Sequence, residues 1–263
     1  MNPLLEAQAL SVSYGDGDIV RDVDLAIPDG GFTTIVGPNA CGKSTLLRAL
    51  ARLLPPSQGR VLLDGQPISS LPSRQMARRL ALLPQAQTMP EGLRVRDLVA
   101  RGRFPHQSFF RRWSDDDERA VARALAVTST SAIADRLVDE LSGGQRQRAW
   151  IATLLAQDTP IVLLDEPTTF LDLTHQIEVL ELCASLQRDG RTVVAVLHDL
   201  GLAARYATHM VAMKEGRISA QGTPAEVITP EIMRDTFGLA CLVVDDPVTG
   251  TPLVVPERPV AAA

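Results

Sequence analysis

Apolar and polar residues alternate with a period of two near the start of the chain, a pattern that predicts β-strands with one buried face. Leu10–Tyr14 and Ile19–Ile27 alternate in this way, and the turn-forming run Gly15–Asp18 separates them. Two alternating runs around a Gly/Asp turn are typical of a β-hairpin. A further β-rich run, Phe32–Val36, ends at Gly37. The chain is therefore predicted to begin with an antiparallel β region.

The apolar spacing becomes that of helices in the middle of the chain, over about residues 86–160. Leu93–Arg101, Asp115–Val127 and Gly144–Ala156 have helical spacing, and no convincing strand lies among them. The acidic run Ser114–Glu118 is predicted to supply an N-cap and a first turn whose carboxylates favour the helix dipole. We interpret this charge run as the solvated start of a helix.

Strand-like and helix-like runs alternate on both sides of this helical block, which indicates βαβ units around a mostly parallel sheet. The predicted fold class is α/β, with the helical block inserted into a core formed by about residues 1–85 and 161–240. Residues 241–263 form a predicted C-terminal extension, whose end, Pro256–Ala263, is expected to be frayed. The predicted strands are Arg60–Asp64, Leu80–Leu83, Ile161–Leu164, Thr192–Leu197, Met210–Met213 and Arg217–Ala220, and the predicted helices are Leu46–Leu54, Leu173–Arg188 and Leu200–Tyr206.

Length and charge narrow the functional classes. The chain has 263 residues, enough for a single domain over residues 1–240. Its formal net charge of -5 disfavours a general nucleic-acid binder, which is usually basic. No apolar run approaches the roughly 20 residues that a membrane-spanning helix needs, and Met1–Glu6 lacks the features of a secretory signal. The cysteines Cys41, Cys183 and Cys241 show neither a disulfide nor a zinc pattern, so a reducing compartment, the cytoplasm, is expected.

Gly37–Thr45 fits the phosphate-loop pattern of a glycine, four residues and then Gly-Lys-Ser. It follows a predicted strand and precedes a predicted helix, which is the context that the motif requires. Backbone N–H groups of such a loop and the helix N-terminus attract phosphate oxygens. Lys43 is expected to reach the β- and γ-phosphates of ATP, and the Ser44 hydroxyl to bind Mg²⁺. The alternative is an ordinary Gly-rich turn with a surface lysine.

Two further motifs follow the phosphate loop. Ile161–Leu164 brings Asp165 and Glu166 to the end of a predicted central strand, the edge at which α/β folds place their sites. Asp165 is expected to hold Mg²⁺, and Glu166 points elsewhere because strand side chains alternate; a strand-capping carboxylate pair is the alternative. Ser142–Gly144 offers a hydroxyl and backbone N–H groups before a helix, which predicts a second anion site.

The run Leu141–Ala149, which lies between the phosphate loop Gly37–Thr45 and the segment Ile161–Pro167, resembles the ATP-binding cassette ATPases, the motor subunits of ABC transporters. The resemblance covers about residues 4–240. It implies an ABC-type P-loop NTPase core with an N-terminal antiparallel β-subdomain and an inserted helical subdomain. It also implies an enzyme that hydrolyses ATP, with ATP and Mg²⁺ as its ligands.

The resemblance assigns roles to single residues. Glu166 matches the general base that polarises the attacking water, and Gln85 matches the glutamine that contacts Mg²⁺ or its water. His198 matches the switch histidine that bonds the γ-phosphate, and its alternative role is a polar cap of a strand. Asp172 matches the D-loop aspartate that couples two active sites. Tyr14 matches the aromatic residue that stacks on adenine, and its alternative role is a core aromatic.

The resemblance further implies a head-to-tail dimer in which the Ser142 loop of one cassette closes over ATP held by the other, with a second copy of this chain as the expected partner. The family usually has glycine where this chain has Ala40, a departure that we expect to be tolerated. Cys41 is interpreted as filler. The nucleotide contacts implied are Gly37, Pro38, Asn39, Ala40, Cys41, Gly42, Lys43, Ser44, Thr45, Ser142, Gly143, Gly144, Gln145, Tyr14 and Asp172.

Four patches resemble the ferric-siderophore import ATPases more narrowly: Arg101–Gln107, Leu141–Ala152, Pro167–Gln176 and Asp246–Pro256. They imply an importer that takes up ferric siderophore through permease subunits, with a periplasmic or lipid-anchored binding protein as an indirect partner. The chain would then lie at the cytoplasmic face of the inner membrane as a peripheral subunit. Haem or cobalamin import, or a soluble cassette that acts on nucleic acid or iron–sulfur clusters, are the alternatives. Arg101–Trp113 forms either a groove wall for the permease or a plain surface loop.

Overall fold

The computed structural model describes residues 4–15, 17–87, 91–107 and 113–259. The chain divides into two compact units. The first unit comprises the described residues of Met1–Ser70 and Thr192–Ala263, and the second unit comprises those of Leu71–Arg191. None of the helices within the described ranges is both long and apolar enough to cross a membrane.

An antiparallel sheet occupies the N-terminal part of the first unit, with strand order β2-β1-β4-β5. The predicted hairpin is confirmed, but its strands are longer than predicted. The pairing of the two strands shifts register near the left-handed residues Ala9 and Asp22, and the alternation of apolar and polar residues does not reveal such shifts. On β2 the buried side chains are Val20, Val23, Leu25 and Ile27, so the alternation changes phase at Asp22. The strands are β1 (Leu5–Tyr14), β2 (Gly17–Ile27), β4 (Gln58–Leu63) and β5 (Gln66–Pro67).

A second group of strands in the first unit is mostly parallel. β3 (Phe32–Val36) lies between β8 (Thr192–Val196) and β9 (His209–Lys214) and pairs with both in parallel. β10 (Arg217–Gly222) adds an antiparallel edge to β9. Every residue of β3 and β8 is buried, as is typical of strands covered on both faces. The carboxyl end of β3 leads into α1 (Lys43–Leu50).

The first unit ends in helices and a hairpin. The helix Leu200–Tyr206 was predicted from the sequence with these bounds, whereas the later helices and the hairpin were not predicted. α7 (Leu200–Tyr206) follows β8, and α8 (Pro224–Val227) and α9 (Pro230–Phe237) follow β10. The two-stranded sheet of β11 (Leu239–Asp245) and β12 (Pro252–Pro259) then packs against α9 and α7.

This hairpin corrects the expectation of a frayed tail over Pro256–Ala263. Residues 256–259 belong to β12, and residues 260–263 lie outside the described part of the chain. The prolines are compatible with a strand here because both strands of a two-stranded sheet are edge strands, which can lack some N–H donors.

The second unit consists of two parallel strands and the helices around them. β6 (Leu80–Leu83) and β7 (Ile161–Asp165) pair in parallel, with Leu83 opposite Leu164. Within the described residues between them, all regular elements are helices, as predicted; α3 and α4 both pack on α5. The helices of the unit are α2 (Ser73–Met76), α3 (Val95–Arg101), α4 (Asp115–Val127), α5 (Gly143–Ala156) and α6 (Leu173–Arg188).

The start of α4 is capped as predicted but is not wholly solvated. Ser114 and Asp117 form a reciprocal capping box. The Asp117 side chain is 1% exposed and pairs with Arg103 Nε at 2.9 Å, so the interpretation of the acidic run as a solvated turn is wrong at this residue. Burial by itself would raise the pKa of Asp117, but hydrogen bonds from Ser114 and Arg103 outweigh burial and lower it.

Candidate functional site

The loop between β3 and α1 contains two glycines at which the backbone leaves no space for a side chain. Gly37 and Gly42 have φ values of 152° and 103°. A methyl group on Gly37 would lie 2.4 Å from the Met213 carbonyl oxygen, and one on Gly42 would lie 2.9 Å from the Ile19 carbonyl oxygen. Both distances are too short for carbon, so these two positions require glycine. The backbone therefore forms a compact concave turn directly before a helix N-terminus.

Lys43, the first residue of α1, is folded back under this loop. Its ammonium group donates to the carbonyl oxygens of Gly37 at 2.9 Å and Pro38 at 2.8 Å, and the residue is only 5% exposed. Among the residues that the structure describes, no carboxylate pairs with it. A buried ammonium bound by neutral carbonyl groups keeps its positive charge uncompensated. This charge and the helix N-terminus both favour an anion, such as phosphate, at the loop.

Ala40 and Cys41 are neighbours inside the loop, and Ala40 stands where the resemblance implies glycine. Ala40 is exposed and has φ 60°, a left-handed conformation that costs a non-glycine residue about 1–2 kcal/mol. Cys41 is a buried free cysteine whose sulfur lies 3.9 Å from Lys43 Nζ. Burial raises the pKa of the Cys41 thiol, although the Lys43 charge acts in the opposite direction. The thiol is therefore neutral at pH 7 and serves as packing, as interpreted from the sequence.

Two other candidate residues belong to the same unit. Tyr14 ends β1 and is 50% exposed, which rules out the alternative of a core aromatic. His198 is exposed and follows β8 by two residues. The next residue, Asp199, caps α7 by accepting a hydrogen bond from the Leu202 N–H at 2.8 Å, so a polar cap exists at this strand end without using His198.

In the second unit, parallel pairing of β6 and β7 brings Gln85 and Glu166 together. Gln85 Nε2 donates to Glu166 Oε2 at 2.6 Å. Asp165, the last residue of β7, is 1% exposed, while Glu166 is partly exposed and has φ 54°. Glu166 lies directly after the strand, at a left-handed backbone position. The two carboxylates thus have different surroundings, as a division of roles requires.

Thr169 is a residue that the sequence did not single out. Its hydroxyl donates to Glu166 Oε2 at 3.0 Å, on the same oxygen that Gln85 binds. A threonine three residues after a glutamate carries no periodic or motif signal. Only the left-handed turn at Glu166 brings the two side chains together, and the sequence pattern does not reveal that turn.

The second predicted anion site lies at the N-terminus of α5. The Gln145 N–H donates to Ser142 Oγ at 3.3 Å, and the Ser142 N–H donates to Gln145 Oε1 at 3.2 Å. Because Ser142 Oγ acts as an acceptor in this capping box, its own hydrogen remains available for donation. Ser142 and Gly143 are exposed, while Gly144 is buried.

Asp172 acts locally as the N-cap of α6. Its carboxylate accepts from the His175 N–H at 3.0 Å and lies 2.7 Å from His175 Nδ1. The hydrogen bonds from His175 lower the pKa of Asp172, so the group is ionised at neutral pH. Two apolar side chains beside it are open to solvent: Phe170 is 100% exposed and Leu173 is 64% exposed.

The chemistry of the candidate metal donors fits magnesium. Ser44, in the first unit, has a hydroxyl oxygen, and Asp165, in the second unit, has a buried carboxylate. Mg²⁺ prefers oxygen ligands and is usually held by one or two carboxylates together with substrate phosphates. Within the described residues, no group of three or more His, Cys, Asp or Glu side chains is arranged to hold a metal ion.

Comparisons with known proteins agree with this picture. A family model described as ABC transporter matches residues 20–169. The chain is 54% identical over 253 residues to the ferric enterobactin transport ATP-binding protein FepC of Escherichia coli (strain K12), covering 96% of this chain and 93% of that protein. It is also 54% identical over 254 residues to the probable siderophore transport system ATP-binding protein YusV of Bacillus subtilis (strain 168), covering 96% and 92%.

A solved structure extends the likeness to three dimensions. The dimeric structure of MJ0796, a bacterial ABC transporter cassette, superposes with a TM-score of 0.74 at 26% sequence identity, covering 83% of this chain and 98% of that chain. The predicted fold class, an α/β cassette with an antiparallel sheet and a helical block, is thereby confirmed.

Proposed function

The chain belongs to the ABC transporter family as an importer ATPase, and from that premise we propose that its cargo is a ferric siderophore. The observation that carries this proposal is the similarity to siderophore transport ATP-binding proteins, 54% identity over 96% of the chain. The chelate itself would contact the permease and the binding protein. This chain would supply the energy of ATP hydrolysis.

The phosphate loop is proposed to bind the ATP phosphates. Lys43 has an uncompensated charge beneath the loop, and a charge-assisted bond to phosphate would replace its present bonds to backbone carbonyls. Gly42, Ser44 and Thr45 would add contacts at the start of α1, because the N-terminus of a helix favours anions. Tyr14 is half exposed, as an aromatic residue that stacks on adenine must be.

Glu166 is proposed to act as the general base toward the attacking water. Gln85 and Thr169 both donate to its Oε2, which fixes the direction of the carboxylate. A base must hold a fixed direction toward the proton that it accepts. His198 is proposed to bond the γ-phosphate, and its exposure after β8 leaves its imidazole accessible to a nucleotide.

Ser44, Asp165 and Gln85 are proposed to hold Mg²⁺, alone or through water. The ion supplies charge neutralisation at the phosphates when it is bound. Because Mg²⁺ would neutralise charge on the reacting phosphates, hydrolysis should depend on the ion. Chelation with EDTA should abolish hydrolysis, and added Mg²⁺ should restore it. Hydrolysis that is unchanged in excess EDTA would contradict these ligands.

Hydrolysis is proposed to require a head-to-tail dimer of two copies. We propose two phosphate-binding surfaces in each chain, the loop before α1 and Ser142–Gly144 before α5, each of which contacts a different ATP. The solved dimer of a similar cassette and the full exposure of Phe170 support this arrangement. Ser142, Gly143, Gly144 and Gln145 would then contact ATP held by the other copy, and Asp172 would couple the two sites.

A permease is the proposed membrane partner, placing the chain at the cytoplasmic face of the membrane. The segment Arg101–Trp113 is proposed to contact it, although residues 108–112 lie outside the described part. Phe104 is 78% exposed and Trp113 is 43% exposed. Both line an open cavity of about 510 Å³ with Asp97, Ala100, Arg101 and Gln107. Such an apolar and charged depression suits an amphipathic segment of another protein.

The cargo is tested in a reconstituted transporter. The chain is purified with the permease that accompanies it and placed in lipid vesicles with the cognate binding protein. Ferric siderophore should stimulate ATP hydrolysis and enter the vesicles, while haem and cobalamin should not. Stimulation by haem or cobalamin alone would assign another cargo, and purification with soluble partners only would overturn the transport proposal.

A further inference from the structure

His175 lies in the first turn of α6 with its ring held in one orientation. Its backbone N–H donates to Asp172 Oδ1 at 3.0 Å, and its Nδ1 lies 2.7 Å from the same oxygen. Because an ionised carboxylate is an acceptor only, Nδ1 carries the hydrogen of the neutral ring. The bond to Asp172 therefore fixes both the tautomer and the direction of the imidazole.

The opposite edge of the His175 ring packs against Gly144. A methyl group built on Gly144 would lie 2.6 Å from Cδ2 and 3.0 Å from Nε2 of His175. Both distances are shorter than normal contact, so the ring occupies the space that any other residue at position 144 would need. By contrast, nothing lies within 4 Å of a methyl group built on Gly143.

Two further contacts join α5 to the segment that runs from Glu166 into α6. Gln147 Nε2 donates to the Pro167 carbonyl oxygen at 2.8 Å. Arg148 Nη1 pairs with Glu178 Oε2 at 3.2 Å. Of these contacts, the one made by His175 lies nearest to the end of α5 that carries Ser142 and Gly143.

We propose that His175 is a positioning residue that holds the Ser142–Gly144 turn in fixed register with the Glu166–Asp172 segment. It acts through Gly144 and does not touch the reacting atoms. The inference rests on the proposed function, because it needs Ser142–Gly144 to bind ATP held by a second copy. Its effect is to make the surface offered to the partner's nucleotide move together with the proposed base of the same chain.

The consequence is a kinetic effect without a loss of nucleotide binding. ATP is held by the phosphate loop of the first unit, so its KM should change little when His175 is altered. A displaced Ser142–Gly144 turn would be misaligned with the nucleotide in the transition state. A misplacement of about 1 Å can lower the rate by up to about 100-fold. We expect His175→Ala to lower kcat about 10-fold, with KM within about 2-fold.

Three substitutions separate the two functions of the ring. His175→Phe keeps a ring against Gly144 but loses the donor to Asp172. His175→Asn keeps a donor for Asp172 but loses the ring, and His175→Ala loses both. The ATPase kcat of the full transporter should be highest for the wild type and lower for His175→Phe. It should be lowest, and about equal, for His175→Asn and His175→Ala. Arg188→Ala, at the exposed end of the same helix, should keep the wild-type kcat.

A size-compensation experiment tests the contact itself. Gly144→Ala should lower the thermal unfolding midpoint of the wild type, because the methyl group meets the His175 ring. In the His175→Ala background the same change should leave the midpoint unchanged or raise it, because alanine is the better helix residue. Gly143→Ala, where there is space, should not lower the midpoint in either background.

The outcomes distinguish this inference from the proposed function. If the wild type hydrolyses ATP and all three His175 variants have its kcat, the positioning role is overturned while the function stands. A rise in KM with unchanged kcat would also overturn it, and so would equal harm from Gly144→Ala in both backgrounds. A wild type that neither hydrolyses ATP nor dimerises would overturn the function and, with it, the inference.

Discussion

Ala40 shows what a single methyl group does in the phosphate loop. Its φ of 60° is easily adopted by glycine and costs alanine about 1–2 kcal/mol. Glycine also increases the conformational entropy of the unfolded chain, which offsets part of the gain from relieving this strain. Ala40→Gly should therefore raise the free energy of unfolding by about 0.5–1 kcal/mol. Urea denaturation measures the change.

The control for this substitution is Ala122→Gly, at an exposed position inside α4. It should lower the free energy of unfolding by about 1 kcal/mol, because glycine is unfavourable in a helix interior. If Ala40→Gly were also destabilising, the backbone at position 40 would not be strained in solution.

Lys43 is the residue whose charge the loop leaves uncompensated. Lys43→Ala should weaken ATP binding by about 10- to 100-fold, because a hydrogen bond to a charged group contributes about 1.5–3 kcal/mol. Titration with a fluorescent ATP analogue measures the affinity. The chain has one other lysine, Lys214, which is exposed on β9. Lys214→Ala should bind like the wild type, and equal affinities of all three proteins would remove Lys43 from the nucleotide site.

At the level of elements, the ion pair at the start of α4 links that helix to the end of α3. Arg103 and Asp117 are both nearly buried, and breaking a buried pair from one side costs about 3–5 kcal/mol. Asp117→Asn should therefore lower the free energy of unfolding by at least about 3 kcal/mol in urea denaturation. Asp115→Asn, in the same turn but exposed, should cost less than about 1 kcal/mol.

The pH dependence of stability follows from the same pair. The pKa of Asp117 is lower in the folded protein than its ordinary value of 3.8. Its contribution is therefore complete above the unfolded pKa and is lost as the pH falls through the folded pKa. The wild type should lose this part of its stability below about pH 4, while Asp117→Asn should lack it. An identical acid profile for both proteins would mean that Asp117 is not ionised in the fold.

Elements whose pattern is local were predictable from the sequence. β3, β6, α4 and α6 have the predicted bounds, because apolar periodicity and turn residues define them without help from distant contacts. α1 instead ends at Leu50, four residues early, where Arg52 adopts a left-handed conformation with φ 58°. The β11–β12 hairpin was not predicted, because the proline-rich end of the chain shows no strong alternation of apolar and polar residues. Its strand structure comes from the pairing of β12 with β11.

The candidate site was predictable as motifs but not as contacts. Gln85 and Glu166 were each recognised, yet their hydrogen bond requires the parallel pairing of β6 and β7. Thr169 and His175 were not recognised as functional candidates, because each acts through a neighbour that the chain brings close only after folding. Motifs specify the residues that touch a ligand, whereas the residues that hold them in place depend on tertiary contacts.

At the level of the whole molecule, the two proposed phosphate-binding surfaces belong to different compact units of one chain. If a second copy completes each site, ATP lies in the interface and should stabilise the dimer. Ser142→Arg places a large cation where the partner's nucleotide should lie. It should leave the affinity of the single chain for ATP unchanged and abolish hydrolysis, and full activity in this variant would contradict the shared-site arrangement.

Phe170 provides the most direct test of the dimer, because its side chain is completely exposed in the single chain. Burial of a phenylalanine side chain stabilises an interface by about 1.5–3 kcal/mol, and a symmetric dimer would bury two copies. Glu166→Gln is used as the background, since a slowed hydrolysis step should trap the ATP-bound dimer. In that background, Phe170→Asp should weaken ATP-driven dimerisation by at least about 100-fold.

Light scattering after size-exclusion chromatography measures the dimer at several protein concentrations, with and without ATP. Phe104→Asp is the matched control, because Phe104 is also largely exposed but lies on the surface assigned to the permease. It should dimerise like the background protein and lose co-purification with the permease, whereas Phe170→Asp should do the reverse. If both substitutions left dimerisation intact, the exposed Phe170 would belong to a different surface, and the head-to-tail arrangement would lose its support from the apolar residues beside Asp172.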